Sequence, residues 1–126
     1  MDTGRAVRAG SAALTLGLLA SCASGPIAGM FSAPGQQSQP VFLRYESSAF
    51  GYGGTLATTL PGGEQFSGRY RLDPKAPGGQ MPATLTGNQG NALVCRFTLK
   101  EPGVGPDGGG TVRCSLSSGG TFDATY

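Results

Sequence analysis

From Val41 onward, apolar and polar residues alternate with a period of two, the spacing of half-buried strands. In Gln65–Leu72, Phe66, Gly68, Tyr70 and Leu72 share one face, while Gln65, Ser67, Arg69 and Arg71 share the other. Ala92–Lys100 is the strongest strand, with Leu93, Cys95, Phe97 and Leu99 on its apolar face and Arg96, Thr98 and Lys100 on its polar face. Val41–Glu46, Thr55–Leu60 and Ala83–Thr86 read as further strands. So do Thr111–Ser117, with Val112, Cys114 and Leu116 inward, and Thr121–Tyr126, with Phe122, Ala124 and Tyr126 inward. Glycine and proline place loops at 73–82 and 101–110, with turns at 87–91 and 118–120. The pattern predicts an all-β domain over 41–126: an antiparallel meander or small barrel of six to seven strands.

Part of this domain repeats. Residues 53–70 align without gaps on 109–126, pairing Gly53 with Gly109, Gly54 with Gly110, Thr55 with Thr111, Leu60 with Leu116, Gly63 with Gly119, Phe66 with Phe122 and Tyr70 with Tyr126. Each copy reads as strand, glycine turn and strand, so one hairpin is used twice.

The pattern stops upstream of Val41. Residues 23–40 hold Pro26, Pro34 and Pro40 and Gly25, Gly29 and Gly35 among small polar residues, which is linker composition. As a flexible coil this segment would reach about 20–25 Å. Earlier still, Arg5 and Arg8 precede an apolar run from Ala12 to Ala20. That run is shorter than the ~20 residues a permanent membrane helix needs. Residues 1–21 therefore read as a cleaved signal peptide.

The stretch Leu19-Ala20-Ser21-Cys22 resembles the lipobox of bacterial lipoproteins. The resemblance implies that Cys22 becomes the first mature residue and carries a diacylglyceryl thioether, with a further acyl chain such as palmitate on its new amine. Several acyl chains anchor stably where one binds only reversibly. Residues 22–40 would then be a lipidated N-terminus and tether. Ala23, rather than Asp, follows the cysteine, which in enteric-type sorting implies the outer membrane, facing the periplasm. Without the lipid, the chain reads as a secreted soluble β domain.

The resemblance also accounts for an odd cysteine count. The chain has Cys 3. With Cys22 used by lipid, Cys95 and Cys114 are left to pair, and an oxidising envelope compartment favours that bridge. Both lie on apolar faces of strands that a hairpin would set side by side.

Composition narrows the chemistry. Gly 23 and Pro 9 argue against helices, and charged residues make only 13%. The formal net charge of +2 points to no particular partner. There is no histidine, so the commonest general base and metal ligand is missing. The carboxylates Glu46, Glu64, Asp73, Glu101, Asp107 and Asp123 form no recognisable catalytic pair. Gly103–Gly108 matches a dinucleotide-binding glycine pattern, but Pro106 removes an amide and a strand follows where that motif needs a helix. No catalytic residue, cofactor or metal ligand is expected, and aromatic interleaving for nucleic acid is absent. Arg69, Arg71, Arg96, Lys100 and Arg113 lie on polar strand faces and would form a basic surface if their strands were neighbours. Such a surface suits an acidic envelope protein or an anionic polymer. Ser67-Gly68-Arg69-Tyr70 also resembles a segment of the lipoprotein inhibitors of lysozyme, which implies an inhibitory alternative. The expectation is a membrane-anchored envelope lipoprotein with a non-catalytic structural or binding role.

Overall fold

The structure, a computed structural model, describes residues 24–48 and 52–126. Eight antiparallel strands follow one another round a closed barrel. They are β1 (Ser24–Ser32), β2 (Gln39–Ser47), β3 (Gly53–Thr59), β4 (Gln65–Arg71), β5 (Gln80–Gly87), β6 (Ala92–Leu99), β7 (Gly110–Leu116) and β8 (Thr121–Thr125). β1 closes the barrel by pairing with β8. The signal peptide and Cys22 lie outside the described residues.

The alternating pattern turns one face of every strand inward. Phe66, Phe97, Phe122, Ile27, Leu43, Leu56, Met81, Leu85 and Leu93 are fully buried there and fill the interior. A barrel of this size has room for side chains and little else. Cys95 and Cys114 face each other in the β6–β7 register, with Cα atoms 3.9 Å apart, and are bonded as a disulfide. Backbone hydrogen bonds run from Ser117 to Ala92 and from Lys100 to Gly109. Their alternation places the cysteines at a rung without hydrogen bonds, where side chains approach most closely.

Three expectations are corrected. The barrel has eight strands rather than six or seven, and it begins at Ser24, inside the segment that reads as a flexible linker. Ile27 is completely buried and Phe31 nearly so, which is core burial and not linker behaviour. The other misread strand is β5, which starts at Gln80 and carries Pro82. The β4–β5 ladder ends at Arg69↔Thr84, and two residues further toward Gln80 the register would bring Pro82 opposite Arg71. The β1–β8 ladder ends at Gly29↔Ala124, with Pro26 beyond it. Both prolines thus sit where the barrel wall parts, and no ladder amide is required of them.

The internal repeat extends to the whole barrel. A shift of 56 residues carries β1, β3 and β4 onto β5, β7 and β8; a shift of 52 carries β2 onto β6. Under these shifts Ile27↔Leu43 becomes Ala83↔Cys95, Leu43↔Thr58 becomes Cys95↔Cys114, and Thr55↔Arg69 becomes Thr111↔Thr125. Phe66↔Gly87 becomes Phe122↔Phe31 across the closing seam. The turns match as well. The amide of Gly63 donates to Leu60 and that of Gly119 to Leu116, each at 2.9 Å. Both glycines have positive φ, 95° and 103°, which favours glycine strongly.

Candidate functional site at the loop-bearing end

The two ends of the barrel differ. One carries the short connections 33–38, 60–64, 88–91 and 117–120. The other receives the chain at Ser24 and carries the longer loops 72–79 and 100–109, Ser48, Tyr52 and Tyr126. These are called the turn end and the loop-bearing end.

The β6–β7 loop folds across the loop-bearing end. The amide of Gly105 donates to the carbonyl of Glu101 at 3.0 Å, and Pro106 opens a short 3-10 turn. Pro106 is fully buried. Gly105 lies against Leu72, where a Cβ would come within 2.9 Å of the leucine side chain. The glycines that mimic a nucleotide motif therefore serve to pack a plug.

Beneath the plug, strands β2 and β4 and the residue that follows β8 bring Tyr45, Tyr70 and Tyr126 together. The Tyr45 hydroxyl donates to Asp107 of the plug at 3.1 Å. Tyr70 and Ser47 share a hydrogen bond of 3.0 Å. The Tyr126 hydroxyl is buried without a partner among the described protein atoms. Burial, with the Asp107 carboxylate second, pushes the Tyr45 phenol up to about 12. Burial, then the neighbouring Tyr45 and Tyr70, likewise takes Tyr126 to about 12. Phenols so shifted stay protonated at neutral pH and act as donors rather than nucleophiles.

At the turn end, Glu64 is 8% exposed. Its carboxylate accepts from the Asn91 side chain at 2.7 Å, the Gln89 amide at 3.0 Å and the Asn91 amide at 3.1 Å. Burial would raise its pKa, but the side-chain and backbone hydrogen bonds from Asn91 and the Gln89 amide outweigh this and lower it. Glu64 thereby clips the β3–β4 turn to the β5–β6 turn. Sequence reasoning missed this, although a carboxylate stands here where the repeat has Gly120.

The five basic residues all lie exposed on the outer wall of β4 to β7 or just beyond it. Arg96 and Arg113 are direct neighbours across β6 and β7. Arg113 is committed to Asp123 through a 2.6 Å ion pair. Arg69 and Arg71 stand on β4, with β5 between them and Arg96. Lys100 follows the end of β6, at the loop-bearing end.

The pseudo-twofold exposes a difference between the two walls. In the second half Arg113 and Asp123 form their ion pair; the equivalent residues of the first half are Ala57 and Ser67. These small side chains leave a shallow groove, edged by Phe42, Arg44 and Thr86. Ser67-Gly68-Arg69-Tyr70 lies inside β4 beside this groove, and Tyr70 is 4% exposed, so its tyrosine faces the core. Among the described residues, no three Asp, Glu, His or Cys side chains gather as a metal site.

Compared with protein-family models, with curated proteins and with solved structures, the chain matches none.

Proposed function

We propose that this chain is a lipid-anchored protein of the bacterial envelope whose barrel is a non-catalytic scaffold or binding head. The observation that carries the reading is the division of the cysteines. Cys95 and Cys114 are bonded to each other, which leaves Cys22, in Leu-Ala-Ser-Cys behind an apolar leader. A structural disulfide fits an oxidising compartment outside the cytoplasm.

The barrel wall supports attachment to a membrane rather than passage through one. Barrels that span lipid turn an apolar band outward. Here the apolar faces turn inward, and the outer wall carries Arg44, Arg69, Arg71, Arg96, Arg113 and Asp123, with Met30, Phe42 and Val94 as its exposed large apolar side chains among the described residues and no continuous apolar band. The filled interior directs binding to the outer surface, where the arginines of β4 and β6 suit an anionic envelope component. The titratable groups at the loop-bearing end favour a structural role, because Tyr45 and Asp107 are spent on holding the plug.

Processing tests the proposal. Cys22→Ser leaves an unprocessed precursor, and globomycin does the same to the wild type. Normal processing in both cases overturns it.

A further inference from the structure

We infer that the barrel stands end-on against the lipid surface, with its loop-bearing end as the membrane-facing surface. This rests on lipid attachment at Cys22 and adds an orientation to it. One residue, Ala23, separates Cys22 from Ser24, the first residue of β1, so the two Cα atoms are two residue steps apart. A fully extended chain spans at most ~3.6 Å per residue, so Ser24 lies within about 7 Å of the lipid-bearing Cα. Ser24 pairs with Glu46 near the end of β2, at the loop-bearing end. A linker of residues 22–40 would let the domain float in any orientation; a barrel starting at Ser24 cannot.

The loop-bearing end carries exposed apolar side chains that can meet a bilayer, set among the exposed charges Asp73, Lys75, Lys100, Glu101 and Asp107, which suit the polar headgroup layer. Tyr52 is 74% exposed and Val104 49% exposed, and both project from connections at the loop-bearing end. A tyrosine suits the headgroup boundary because its ring is apolar and its hydroxyl is polar. Among the described residues, the turn tips are polar at Gln36, Gln37, Asn88, Gln89, Ser117 and Ser118, and the exposed large apolar side chains nearest them, Met30 and Val94, lie on the strand wall rather than on a turn. On the outer wall the exposed Met30, Phe42 and Val94 are each flanked by a charge, Asp123, Arg44 and Arg96 respectively, which opposes burial of the wall in lipid. The partner is therefore the phospholipid bilayer that holds the anchor, met by the loops 72–79 and 100–109. The turn end, held clipped by Glu64, faces away.

The chain contains no tryptophan, so a single introduced one reports its own position. The mature lipidated protein is placed on phosphatidylethanolamine–phosphatidylglycerol vesicles, as Val104→Trp and separately as Ser118→Trp. Acyl-brominated phospholipid then serves as the quencher. Strong quenching at position 104 with none at 118 supports the proposal. Equal quenching at both positions, quenching at 118 alone, or none at either overturns the orientation while the protein still sediments with the vesicles. A wild-type protein from the native envelope that fails to sediment with vesicles overturns the lipid attachment itself, and the orientation with it.

Discussion

Cys95 and Cys114 face each other across β6 and β7 at the positions that Leu43 and Thr58 hold across β2 and β3. One half of the barrel thus has a covalent bond where the other relies on packing and on the Thr58 hydroxyl, which donates to the Phe42 carbonyl at 2.8 Å. The bridge closes a loop with a sequence separation of 19. On the chain-entropy account that is worth roughly 3 kcal/mol. Replacing it by the packed pair of the other half, Cys95→Leu with Cys114→Thr, should lower the thermal midpoint by roughly 10–20 °C in a domain of this size. Thermal unfolding followed by circular dichroism checks this. An unchanged midpoint would mean that the bridge adds nothing to stability.

Glu64 gives the barrel an acid sensitivity with a definite sign. Its pKa in the folded state lies below the ordinary 4.5. Its contribution is therefore present above that value and is lost as pH falls through the folded value. Glu64→Gln should lower the thermal midpoint at neutral pH and flatten its decline in acid. Melting curves across the acid range, compared between wild type and variant, read this directly.

The tyrosines act at the alkaline limit. Tyr45 and Tyr126, both pushed up to about 12 from 10.0, are protonated in the fold and ionise more readily once unfolded. Stability from them is complete below pH 10.0 and is lost as pH rises through about 12. A spectrophotometric titration should show late-ionising tyrosines, and Tyr45→Phe should remove one of them.

The same substitution should loosen the plug. Losing the Tyr45–Asp107 hydrogen bond costs about 0.5–1.5 kcal/mol, more if the carboxylate finds no replacement donor. Hydrogen exchange should accelerate in residues 101–108 while the β3–β4 hairpin stays protected. Uniform acceleration would place the effect in global unfolding instead.

The ion pair between Arg113 and Asp123 should matter little to stability, because its side chains are 72% and 48% exposed. Exposed pairs are weakened by solvent and salt. Arg113→Ala with Asp123→Ser copies the Ala57 and Ser67 of the other half. It should leave the thermal midpoint almost unchanged while opening a second groove on the wall.

Most of the barrel was legible as period-two alternation. Leu93, Cys95, Phe97 and Leu99 declare an inward face, and Val112 and Cys114 declare its neighbour. The hairpin alignment of 53–70 on 109–126 was also readable, because its glycines and aromatics are retained. β1 was not, since Gly25, Pro26 and Gly29 dilute its pattern to Ile27 and Phe31. Gly29 is small for a spatial reason that sequence does not display: a Cβ there would come within 2.4 Å of the Asp123 carbonyl oxygen and 2.7 Å of the Phe122 ring. Its strand proline is tolerated because the seam parts beside it. The Glu64 clip and the Tyr45–Asp107 contact join residues 25 to 62 positions apart, where no local pattern signals a partner.

The intact mass of the polypeptide extracted from its native envelope tests the central claim most directly. The account predicts a chain that begins at Cys22, carries a diacylglyceryl thioether and retains one disulfide. A chain that begins at Met1, or one whose Cys22 bears no lipid, would contradict it.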